Sequence, residues 1–169
     1  YHVPIVHRES LGDQVATPLD QEGAWSGSLI PVEQTAGVMK DETTPFPPIK
    51  SLAGEALEGS HFLGLYPSTY FVATTDCFWW MEIKPRGPAR IELVVGSGFP
   101  RETVARDDFE SVVERYYRRW DTSHKEDNDI CELQQAGLTS PLALPGRLAR
   151  RERGVNAVDR WIVERMLAA

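Results

Sequence analysis

Three residues in this sequence could together hold a metal ion. His2 and His7 stand five apart in Tyr1-His2-Val3-Pro4-Ile5-Val6-His7, and Asp127 lies far downstream. Two imidazoles and one carboxylate are the donors of a facial triad on non-haem Fe(II), which leaves coordination positions open for dioxygen and a substrate. Each part also has a plainer reading. Two histidines five apart are common on surfaces, and at helical geometry they point about 140° apart. Pro4 between them removes a backbone donor and loosens the local helix. Asp127 also reads as a helix-start acid facing the N-terminal dipole. Against that, Ile130, Cys131 and Gln134 share its helical face at i+3, i+4 and i+7, while Glu126, Asp129 and Glu132 point elsewhere. If that face is buried, an unpaired carboxylate on it costs several kcal/mol unless a partner or a metal meets it.

The elements that must position these residues follow from periodicity. Phe109, Val112, Val113, Tyr116, Tyr117 and Trp120 form one stripe of a helix, backed by Glu110, Glu114, Arg115, Arg118 and Arg119. A second helix is predicted from about Lys125 to Ala136, stopped at Gly137, with Asp127 in its first turn. Pro141 and Pro145 break the chain before a third amphipathic helix carrying Val155, Val158, Trp161, Ile162 and Met166. Between His61 and Phe99 the period is that of strands: His61–Tyr66, Thr69–Thr74, Phe78–Lys84 and Arg90–Val95, with a turn signal at Pro85-Arg86-Gly87-Pro88. Residues 8–60 are the least regular. They offer one strand around Trp25–Ile30, and the prolines of Pro45-Phe46-Pro47-Pro48 exclude a helix or central strand there. Strands followed by helices predict an α+β domain with the helices on one side of an antiparallel sheet.

Composition narrows the function classes. A chain of 169 residues with 41 % hydrophobic residues can bury a core as one domain. A net charge of −7 argues against nucleic acid as a partner. No apolar run approaches the ~20 residues that span a bilayer, so no membrane role is expected. Cys77 and Cys131 form no C-x-x-C pair, which points to a reducing, cytoplasmic setting. The chain begins on the histidine motif without an initiator Met, so it is expected to be the C-terminal part of a larger protein.

The combination of motifs is more specific than its parts. Tyr1, His2, Pro4, Val6 and His7, followed by Glu126, Asp127, Ile130, Cys131, Glu132, Gln135 and Gly137, resemble the catalytic domain of Rieske non-haem iron oxygenases, the α subunits of ring-hydroxylating enzymes. Leu65-Tyr66-Pro67, Pro85-Arg86-Gly87-Pro88-Ala89-Arg90, Ser140-Pro141 and Pro145-Gly146-Arg147-Leu148 fit as well, so the resemblance covers essentially residues 1–169. It implies a helix-grip (START-like) fold, with a curved antiparallel sheet wrapped around a long helix. It implies mononuclear Fe(II) on His2, His7 and Asp127, with Asp127 at the catalytic centre. It further implies a [2Fe-2S] Rieske cluster in an N-terminal domain absent from this chain. That cluster would sit on Cys-x-His and Cys-x-x-His pairs, which this sequence lacks. The partners implied are O2, a small organic substrate, a reductase or ferredoxin electron donor drawing on NAD(P)H, and two further copies in a homotrimer that passes electrons between subunits.

The substrate implied is an aromatic ring or a quaternary amine, the latter suited to cation–π contacts with Trp and Tyr. The pocket is expected between the sheet and the Asp127 helix, walled by Phe71, Phe78 and Trp80, with residues 8–60 as a lid. Core packing is the plainer account of Phe78-Trp79-Trp80. His61 and His124 read as surface or structural, Cys131 as a small buried residue beside the site, and Arg147–Arg153 as a solvated face. Two other functions remain open from the residues alone. One is a binding module without metal, whose two histidines and Asp127 would lie apart. The other is a zinc hydrolase using the same ligands.

Overall fold

Apolar alternation in the middle third of the chain builds a meander. The computed structural model describes all residues except Tyr1, Asp13, Asp20–Glu22, Glu33, Gln34, Thr44 and Ala169. Tyr1, one of the motif residues, therefore lies outside the described residues. The element order is α1 (Val3–Val6), β1 (Thr17–Pro18), β2 (Trp25–Pro31), a 3-10 turn (Gly54–Leu57), β3 (Gly59–Leu65), β4 (Thr69–Ala73), β5 (Phe78–Gly87), β6 (Arg90–Gly98), α2 (Arg101–Val104), α3 (Phe109–Leu138) and α4 (Arg153–Leu167). Among the described residues six strands, all antiparallel, lie in sequence order in one sheet. With the helices, this is an α+β, helix-grip-like fold. Among the described residues no helix is long and apolar enough to cross a membrane.

The register decides which side chains meet the helices. Phe62, Val72, Trp79 and Ser97 are cross-strand partners and share one face. Val72 and Trp79 are buried against Trp120 of α3, with Phe62 and Met81 beside them. Trp161 of α4 packs near Tyr66, with ring centroids 5.8 Å apart. A second core forms where α3 begins. Phe46 stacks on Phe109 and Tyr116, with Val38, Cys77 and Val113 around them. Phe46 comes from the proline-rich segment, which is irregular in backbone yet anchored by this ring.

Residues 109–138 form one helix, where the sequence predicted two. The stretch between Trp120 and Lys125 is polar, and the apolar stripe that marks a helix stops there. Nothing in it breaks a helix, however, because neither Gly nor Pro occurs from Phe109 to Ala136. Local bonds help: Arg119 Nη1 donates to Ser123 Oγ at 2.8 Å, and Lys125 Nζ pairs with Asp129 at 2.6 Å. Asp127 therefore lies well inside α3, beyond the N-terminal turn in which a helix dipole acts. The capping account of this residue falls.

Two burial expectations also change. Arg119, placed on the charged back, is buried, while Tyr117 is 41 % exposed. From Asn128 to Leu138 α3 is exposed all round, so Ile130, Cys131 and Gln134 do not lie on a buried face.

Candidate metal centre

Both histidines come from the first turn of described structure. His2 caps the N-terminus of α1, Pro4 sits in its first turn, and His7 closes its C-terminus. The short helix brings the two rings edge to face, with centroids 5.2 Å apart and planes at 71°. α1 packs on α3. There Asp127 Oδ1 lies 3.5 Å from His2 Nε2 and 3.0 Å from His7 Nε2. One donor atom from each of the three residues falls within 4.8 Å of the others. This convergence is the opposite of what a metal-free binding module requires.

Burial and charge differ among the three. His7 is 3 % exposed, whereas the His2 and Asp127 side chains keep 57 % and 41 % of their surface open. Burial opposes ionisation of Asp127, but its contacts with His2 and His7 outweigh this and hold the carboxyl well below the usual carboxylate range. Burial likewise opposes a charged His7. Asp127 and Glu126, facing both ring nitrogens, overcome it and raise the imidazole pKa. The donor set therefore fits a divalent ion. One ionised carboxylate and two imidazoles face a common point, and an ion there would displace the proton on His7 Nε2.

Glu126, which helical spacing from Lys125 turns away from the site, in fact enters it: its Oε2 lies 2.8 Å from His7 Nδ1 and accepts from Ser10 Oγ at 2.6 Å. A signal for it exists. Arg119, Ser123 and Glu126 fall at i, i+4 and i+7 of one helix, a stripe that disappears when a new helix is started at Lys125.

The three residues expected to wall the pocket share one face of the sheet. Phe71 and Trp80 are cross-strand partners, and Phe78 lies two residues from Trp80, so all three share the sheet face turned away from α3. Their places opposite β6 are set by glycine. A Cβ on Gly96 would come within 2.6 Å of the Trp80 ring, and one on Gly98 within 2.1 Å of the Phe78 ring. The aromatic residue that faces the helices is Trp79. Its ring lies 4.1 Å from Trp120 and 5.7 Å from His124, one turn before Asp127 on α3. His124 is half-buried, and burial followed by the nearby Arg119 lowers its pKa. A cavity of about 520 Å³ opens elsewhere, lined by Leu11, Val15, Val32, Val38, Met39 and neighbouring residues. Phe71, Phe78 and Trp80 take no part in its lining.

A buried carboxylate braces the β4–β5 turn. Asp76 accepts hydrogen bonds from Thr35 Oγ1 at 2.5 Å, from Thr74 Oγ1 at 2.8 Å and from the Tyr116 hydroxyl. It ties the loop before Val38 and the sheet to α3.

Comparison with known proteins gives a consistent result. A search of curated proteins returns no match to this chain. The family model described as ring hydroxylating alpha subunit (catalytic domain) matches residues 1–168. The chain thus belongs to the ring-hydroxylating α-subunit family, as its catalytic domain of oxygenase type.

Proposed function

We propose that this chain is the mononuclear-iron domain of the oxygenase component of a Rieske system, with His2, His7 and Asp127 as the iron ligands. The observation that carries the proposal is the convergence of these three side chains on one point, although Asp127 lies 120 residues after His7 in the chain. An Fe(II) ion held by His2, His7 and Asp127 would supply the oxygen chemistry that inserts oxygen from O2 into a small organic substrate. The protein's part is to hold the donors and control access. Asp127 presents an ionised oxygen at neutral pH, His7 stands in a buried pocket away from bulk water, and His2 occupies the exposed side.

The finer assignments belong to the same reading. Electrons come from a [2Fe-2S] Rieske cluster in an N-terminal domain, fed by a reductase or ferredoxin. The whole protein is a cytoplasmic homotrimer. Exposed apolar residues such as Ile5, at 77 %, and Leu133, at 69 %, offer area for contacts between copies. The substrate is an aromatic ring or quaternary amine, with Trp79 and Trp120 as an aromatic pair, Trp120 lying about two helical turns before Asp127 on α3. The test is metal analysis of the full-length protein, purified without oxygen, followed by substrate-dependent O2 consumption with its reductase. One mononuclear iron per chain and coupled O2 uptake support the reading. Zinc in its place, with hydrolysis and no O2 uptake, overturns it.

A further inference from the structure

Glu126 is the charged group at this centre that the three-ligand set leaves without a task. It precedes Asp127 on α3, and adjacent helical side chains diverge by about 100°. That divergence lets the two carboxylates reach opposite edges of one imidazole. Asp127 Oδ1 faces His7 Nε2 at 3.0 Å, and Glu126 Oε2 faces His7 Nδ1 at 2.8 Å. Glu126 is itself held. The Ser10 hydroxyl donates to the same oxygen at 2.6 Å, closer than its 3.3 Å approach to the His7 carbonyl. His7 and Ser10 are 3 % and 2 % exposed and the Glu126 side chain keeps 27 % of its surface open, so these bonds are shielded from water on the His7 and Ser10 side. Ser10 is fixed in turn, because its carbonyl accepts the Lys40 amide at 3.1 Å. An imidazole that donates through Nδ1 keeps its lone pair on Nε2. A carboxylate as acceptor fixes the ring plane and makes that lone pair a stronger donor.

We propose that Glu126, held in place by Ser10, is a positioning residue that fixes the tautomer and orientation of His7 for metal binding through Nε2. The proposal rests on the reading of His2, His7 and Asp127 as iron ligands. Its test separates the two. Full-length, metal-free protein is titrated with Fe(II) under anaerobic conditions, and the near-infrared ligand-field bands of the bound ion are recorded. Glu126→Ala lowers the affinity about 10- to 100-fold and shifts the bands. Glu126→Gln preserves the side-chain size and lowers the affinity by a smaller factor, with a band shift of the same sense. Ser10→Ala has the smallest effect, and Glu132→Gln, on the exposed part of α3, has none. If Glu126→Ala does not fold, Glu126→Gln decides. Wild-type affinity and wild-type bands in the Glu126 variants overturn the proposal, provided His7→Ala and Asp127→Ala lose iron. If those two also bind iron as the wild type does, the ligand assignment itself fails.

Discussion

Trp79 of β5 and Trp120 of α3 meet with ring centroids 4.1 Å apart, and this contact seats the long helix on the sheet one turn below the His124–Asp127 segment. It follows that Trp79, and not its two aromatic neighbours, supports the site. Trp79→Ala removes a buried indole from between helix and sheet and is expected to cost about 3–5 kcal/mol. Trp80→Ala, on the outer face, is expected to cost no more than about 2 kcal/mol. Urea denaturation of the two variants checks the difference. Equal losses would show that α3 does not depend on this contact.

The Asp76 cluster predicts a second stability effect outside the cluster of His2, His7 and Asp127. Asp76→Ala leaves the hydroxyls of Thr35, Thr74 and Tyr116 without their shared acceptor in a buried site. The expected cost is about 2–4 kcal/mol. Tyr116→Phe removes one donor and leaves two, so it is expected to cost less. Thermal unfolding of both variants, at one pH and ionic strength, tests the order.

Much of this arrangement was legible in the sequence, and the parts that were not have physical causes. Strand alternation fixed β3 to β6 and showed that Phe78 and Trp80 oppose Trp79. Alternation alone does not say which set looks inward; that depends on which face α3 covers. The grouping of His2, His7 and Asp127 is legible from residue type and motif, because donor chemistry shows in the residues themselves and not in the hydrophobic pattern. Glu126 is hidden in the sequence because the polar run from Asp121 to Lys125 carries no apolar stripe to mark the helix as continuous. A polar run without Gly or Pro continues a helix when its ends are anchored, here by Trp120 on the sheet and by Asp127 and Glu126 on α1. The short elements α1, α2 and β1 carry too few residues for any periodicity to show.

The metal-free protein should have a defined pH profile. Asp127 has a depressed folded pKa, so its stabilisation is full above about pH 4 and is lost as pH falls through the lower folded value. His7 has a raised folded pKa, so its stabilisation is full below about pH 6.5 and is lost as pH rises through the folded value. Metal-free protein is therefore most stable between those limits with respect to this pair. Asp127→Asn flattens both limbs. Adding a divalent ion reverses the alkaline limb, because binding needs His7 deprotonated and strengthens as pH rises. Melting temperatures from pH 3 to 8, with and without metal, test this. An Asp127→Asn profile identical to wild type would contradict the pairing.

The proposed function stands on His2, His7 and Asp127 holding a single iron. Anomalous diffraction at the iron edge, from crystals of the full-length protein grown without oxygen, addresses it directly. The predicted result is one mononuclear iron bonded to His2, His7 and Asp127 at about 2.0–2.2 Å, with Glu126 on the far nitrogen of His7, and no such peak in Asp127→Ala. An iron peak held by other residues, or one that survives unchanged in Asp127→Ala, would contradict it.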